Sequence, residues 1–165
     1  MAHDARAISN AILDYAKTCK IEVTPLKLQK LLYFCHGHSW RVRRIGLIFN
    51  RFQAWDHGPV VKVVYDEFKA LGDANINSRA MWFNFCGGGR ELANASLDSV
   101  EFACVRQTVD IYGPVDAFTL SNLSHIAGGP WDIVQRAVHR FPKKVIPESL
   151  LADYFSNRFS SFDHH

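Results

Sequence analysis

Thr24-Pro25-Leu26-Lys27-Leu28-Gln29-Lys30-Leu31-Leu32-Tyr33-Phe34-Cys35-His36-Gly37 is the stretch on which the fold turns. Threonine before proline starts a helix, because the hydroxyl can cap the first turn and the proline's missing N–H falls where no intrahelical partner exists. Leu28, Leu31, Leu32 and Cys35 follow at i, i+3, i+4 and i+7, one face of a helix that runs through Gly37 toward Trp40. Lys27 and Lys30 fall off that stripe and are expected in solvent.

Working outward, Ile8, Ile12, Tyr15 and Cys19 predict a preceding helix over about residues 4–19, capped by Asp4. On the other side, Leu47 to Trp55 reads as a short hairpin or extended passage. Gly58-Pro59 then predicts a helix over about residues 59–71, with Val60, Val64, Phe68 and Leu71 on one face and Gly72 at its left-handed end. Residues 73–96 read as irregular with room for a short strand, since Gly87-Gly88-Gly89 cannot sit inside a stable helix. Further helical patterns cover about residues 98–112, 114–125, the segment opening near Trp131, and 148–159 with Leu151, Tyr154 and Phe155 inward. The expectation is a mainly α, compact single-domain helical bundle over residues 1–165. It has about six helices, a short β-hairpin or extended segment between the second and third, and a frayed tail after about residue 160.

Composition agrees with a packed interior: of 165 residues, 48% are hydrophobic and 13% aromatic. Nineteen basic against sixteen acidic residues leave a formal charge of +3, which favours an acidic protein partner over a long nucleic acid. No stretch approaches the roughly 20 apolar residues of a membrane span, so a cytoplasmic protein without membrane contact is expected. Cys19, Cys35, Cys86 and Cys104 never fall at a C-x-x-C spacing and read as free, mostly buried thiols rather than a metal or redox site.

The constellations that carry chemistry elsewhere fail here on spacing. Cys35, His36 and His38 invite a metal reading, but His36 and His38 lie two apart and point to nearly opposite sides of a helix, and the H-E-x-x-H pattern of helical ligand pairs is absent. Gly87-Gly88-Gly89-Arg90 lacks the Lys-Ser or Lys-Thr of a phosphate loop. No catalytic, metal or cofactor residues are assigned. Trp40-Arg41-Val42-Arg43-Arg44 is the most concentrated positive patch, so Trp40, Arg41, Arg43, Arg44, Arg51 and Trp82 are the candidate partner contacts. Two other readings stay open: an enzyme with a polar centre near His36, His57 and His125, and a DNA-binding autoregulator using Arg41, Arg43 and Arg44.

Three motifs in order, Thr24 to Gly37, then Ala54-Trp55-Asp56-His57-Gly58-Pro59-Val60-Val61, then Ser124-His125-Ile126-Ala127-Gly128-Gly129-Pro130-Trp131, make the chain resemble the Panacea domain family, also called SocA-like or GepA. The resemblance runs from about Arg6 to Ala137. It implies a mostly helical antitoxin that neutralises a protein toxin encoded beside it by direct contact, with delivery to a ClpXP-type protease as a further step. Within it, Leu28, Lys30, Tyr33, Gly37, Trp55, Gly58, Pro59, His125 and Trp131 match the motif positions and are implied to be scaffold. Asp56-His57 and Gly128 depart from the family pattern, and Trp82 to Gly89 matches none of its motifs, which marks that region as partner-specific surface.

Overall fold

Residues 2–157 are described by a computed structural model, and its axis is the helix that the opening stretch predicts. In chain order the elements are α1 (Ala5–Thr18), α2 (Pro25–Arg43), β1 (Gln53–Trp55), β2 (Gly58–Val60), α3 (Lys62–Phe68), β3 (Met81–Asn84), β4 (Gly89–Leu92), α4 (Ser99–Tyr112), α5 (Ala117–Ser124), α6 (Pro130–Arg136) and α7 (Glu148–Asn157). Short 3₁₀ turns follow α3 at Lys69–Leu71 and lie between α6 and α7 at Val138–Arg140 and Pro142–Lys144. The fold is mainly α, with two antiparallel strand pairs, β1–β2 and β3–β4.

The caps explain the starts. The Asp4, Thr24, Asp98 and Asp116 side chains accept backbone N–H groups from the first turns of α1, α2, α4 and α5, and Asp98 with Glu101 completes a capping box. Helix α2 is surrounded by α1, α3, α4, α5, α7 and β2. Every residue from Leu28 to Gly37 is buried, so α2 has no solvent face along that length. This corrects the expectation for Lys30, which is 0% exposed. A stripe of leucines reveals one apolar face, but a helix enclosed on all sides buries its other faces too.

Three boundaries also differ from the sequence expectation. The hairpin is Gln53–Trp55 with Gly58–Val60, so Gly58 and Pro59 lie in β2 rather than opening a helix. Gly58, with φ of +115°, supports the turn after Asp56-His57, and α3 begins at Lys62. Leu47 to Phe49 instead runs beside the N-terminus, exchanging backbone bonds with His3. Residues 81–92 form a second hairpin, closed by an Asn84 side chain that accepts the Cys86 and Gly87 N–H groups. Cys35 and Cys104 are buried as expected, whereas Cys19 and Cys86 are exposed. Leu71 is also exposed rather than inward. The expected continuation of α7 to Phe159 and the tail lie outside the described residues.

Side-chain amides dock both hairpins onto the helices. Gln29 pairs with both backbone groups of Val61, just after β2. Asn10 on α1 donates to the carbonyls of Ala80 and Ala93 and accepts the Ala80 N–H, bridging the two segments at the base of β3–β4. Asn10→Ala leaves that buried N–H without a partner, at about 1–3 kcal/mol. Faster hydrogen exchange at the Ala80 amide than at the α2 amides is the expected result; unchanged exchange there would show that the clamp does not hold the hairpin.

Candidate functional site

The motif residues that are far apart in sequence gather at the N-terminal half of α2. Lys30 Nζ donates to the Pro59 carbonyl at 2.8 Å. A Cβ at residue 58 would stand 2.6 Å from Ser124 Oγ and 2.8 Å from Lys30 Nζ, so glycine is required both by φ and by this close approach. Ser121 Oγ donates to the His57 carbonyl, and Ser124 Oγ to Ser121 O at 2.6 Å. Trp131 Nε1 donates to Trp55 O at 2.7 Å, and its ring stacks on His125 with centroids 3.8 Å apart. Thus α5 and α6 clasp the β1–β2 turn over the lysine.

Burial pushes the Lys30 ammonium down from 10.5 to about 7. The neutral amine still donates to Pro59 O, so the site tolerates a lysine that can discharge. His125 is pushed down by burial and then by the charge of Lys30 and the neighbouring His57. Its Nε2 is buried without a hydrogen-bond partner among the described residues.

His36 belongs to a different cluster. Its Nδ1 accepts the N–H groups of Leu47 and Ile48 at 3.2 and 3.1 Å, which places the proton on Nε2, donated to Glu148 Oε1 at 2.6 Å. Trp40 Nε1 donates to the same oxygen at 2.7 Å. Burial alone would raise the Glu148 carboxyl; the bonds from His36 and Trp40 and the charge of Arg51 outweigh it and hold its pKa below the usual value. His36 is therefore a latch between α2, the Leu47–Ile48 segment and α7, while His57 and His125 sit with Lys30. His38 is elsewhere again, bonded to Gln107. Among the described residues no group of three or more His, Cys, Asp or Glu could hold a metal ion. The Cys35 thiol, fully buried, is pushed up to about 12 by that burial and is not a nucleophile at neutral pH.

The candidate partner contacts separate as well. Arg43 donates to Ser39 and lies 3.7 Å from buried Glu101, which also meets His3 at 2.6 Å. Arg41 meets His38, and Arg44 reaches the Ser156 carbonyl at the end of α7. Arg51 is exposed. Trp82 is half-buried and donates to Glu91; on the same hairpin Phe83 and Phe85 are the open aromatics, at 54% and 88% exposure, with ring centroids 4.8 Å apart. Strand alternation over Met81 to Phe85 was the signal that could have shifted attention from Trp82 to Phe83.

A groove of about 640 Å³ runs beside the Lys30 site, between α2, the β1–β2 turn and α3, with Leu26, Trp55, Val64, Tyr65 and Phe68 in its wall. Among the described residues no helix is long and apolar enough to cross a membrane.

With this geometry in place, the likeness to known proteins is informative. Residues 28–132 match the family model described as antitoxin SocA-like, Panacea domain. The chain is 36% identical over 131 residues to antitoxin SocA of Caulobacter vibrioides (strain NA1000 / CB15N), covering 79% of this chain and 70% of that protein. No solved structure matches. The matched segment holds the first motif from Leu28 onward, the other two motifs and the Lys30–Pro59 contact, and the chain belongs to the SocA-like antitoxin family with a Panacea domain.

Proposed function

We propose that this protein is an antitoxin that neutralises a protein toxin encoded beside it by direct contact, and that delivery of the toxin to a ClpXP-type protease is a further step. The observation that carries the reading is the 36% identity to an antitoxin across 79% of the chain. The side chains support it. Lys30, Gln29, His36, Ser121 and Ser124, the polar groups that a catalytic site would need free, are spent on backbone carbonyls, amides and one carboxylate. The Phe83–Phe85 pair leaves aromatic surface of the kind protein contacts use. We read the whole chain as one Panacea domain acting in the cytoplasm without enzymatic activity, with Leu28, Lys30, Tyr33, Gly37, Trp55, Gly58, Pro59, His125 and Trp131 as its scaffold.

The test is co-expression with the product of the adjacent gene. Growth arrest by that product alone, relieved by this protein together with co-elution of the two, is the expected outcome. A neighbour that stays toxic and elutes separately ends the proposal. The protease step is read from the toxin's half-life in cells, which should shorten when the antitoxin is present and the protease active.

A further inference from the structure

The strongest cluster of unpaired charge is not the arginine run after Trp40. Residues 136–144 contain Arg136, His139, Arg140, Lys143 and Lys144 and no Asp or Glu, and all five are exposed. Arg136 is paired with Asp132, but Arg140, Lys143 and Lys144 have no acidic partner among the described residues. The segment is tied down at its end: Val145 pairs with Gln53, and the Ile146 N–H donates to Phe52 O at 2.8 Å. In this antiparallel register Arg51 lies beyond Val145, where its charge acts on Glu148, so the open run is Arg140, Lys143 and Lys144.

Lys143 and Lys144 are consecutive left-handed residues, with φ of 56° and 57°. Each non-glycine residue there costs about 1 kcal/mol over glycine, a strain that this exposed loop could shed with Gly-Gly. Lys144 also lines the apolar groove beside Trp55 and Tyr65. A row of cations therefore leads to the mouth of an apolar channel.

We propose that this strap is a docking face for an acidic segment of the toxin, which lays its carboxylates along Arg140, Lys143 and Lys144 and places an apolar side chain in the groove. The inference rests on the protein-binding reading above and names the chemistry of the partner. Charge complementarity argues for an anionic partner, and the groove decides its class. An apolar wall receives an apolar side chain, whereas a sugar–phosphate chain entering there would meet Asp56 and Asp73. The strap's charge also calls for binding that weakens with salt.

The experiment compares wild type, an R140Q/K143G/K144G variant and a K17Q/K20G variant for binding to the adjacent gene's product. Glycine at 143 and 144 removes charge while fitting the backbone, so the variant should melt no lower than wild type. Its affinity should fall at least tenfold and lose most of its salt dependence, while K17Q/K20G, which removes cations at the end of α1, stays within twofold of wild type. Equal affinity of all three proteins overturns the docking face and leaves the antitoxin reading intact. A wild-type protein that does not bind the product ends both. A 20-base-pair duplex that binds wild type and not the strap variant, with toxin affinity unchanged, assigns the face to nucleic acid and overturns the proposal.

Discussion

His36→Leu is expected to lower the stability of this protein by about 4 kcal/mol. The imidazole is fully buried, its Nδ1 shared by two backbone N–H groups and its Nε2 bonded to Glu148. Leucine fills much of the volume but strands two buried N–H groups, Leu47 and Ile48, at about 1–3 kcal/mol each, and takes a charge-assisted bond from Glu148. For a domain of this size that corresponds to a fall in Tm of roughly 10 °C. Urea unfolding followed by tryptophan fluorescence measures it. A loss under about 1 kcal/mol would mean that water replaces the ring and that the latch holds nothing.

The second expected result concerns pH. With the Lys30 pKa about 7 in the folded protein against 10.5 when solvated, both states carry the proton below pH 7, and the folded state bears the full penalty of a buried ammonium. Between pH 7 and 10.5 the unfolded chain keeps the proton that the folded protein releases, so stability rises with pH by up to about 1.4 kcal/mol per unit. Above that window both are neutral and the penalty is gone. Lys30→Met removes the titration and gives up one hydrogen bond to Pro59 O, worth about 1 kcal/mol. The variant should therefore be more stable than wild type at pH 7 by on the order of 3 kcal/mol, and by only about 1 kcal/mol at pH 9. His125, already pushed below its usual value, is neutral across this interval and does not disturb the comparison. A difference between the two proteins that stays constant from pH 7 to 9 would show that Lys30 titrates normally.

These two residues show why scaffold and function are entangled here. Lys30 binds the β1–β2 turn, and that turn forms one wall of the groove where Lys144 meets Trp55 and Tyr65. A change in Lys30 therefore acts on the groove's shape without touching a partner. Under the proposed docking, the expected signature is altered affinity for the adjacent gene's product with no change in salt dependence, the opposite of the strap variant.

Local chemistry determined much of this protein without any tertiary information. Thr24-Pro25, Asp4 and Asp98 place helix starts, because a cap satisfies backbone donors within its own turn. Leu28 to Cys35 marks an inward face, and three motifs identify the family because their residue types and order are themselves the signal. Tertiary structure alone decided the rest. Lys30 looked solvated because periodicity sees one face of a helix and is blind to the elements that cover the others. Pro59 looked like a helix start because its ring suits a first turn; its place in a strand depends on Gln29 and Lys30, some 30 residues away, claiming the backbone around it. The arginines after Trp40 looked free because sequence shows charges and not their partners: Glu101 and Ser156 come from distant segments, and only His38 is a neighbour on the same helix. The open cations lie instead at Arg140, Lys143 and Lys144, where the fold supplies no carboxylate among the described residues. Charge in a sequence is a count, and its availability is a property of the fold.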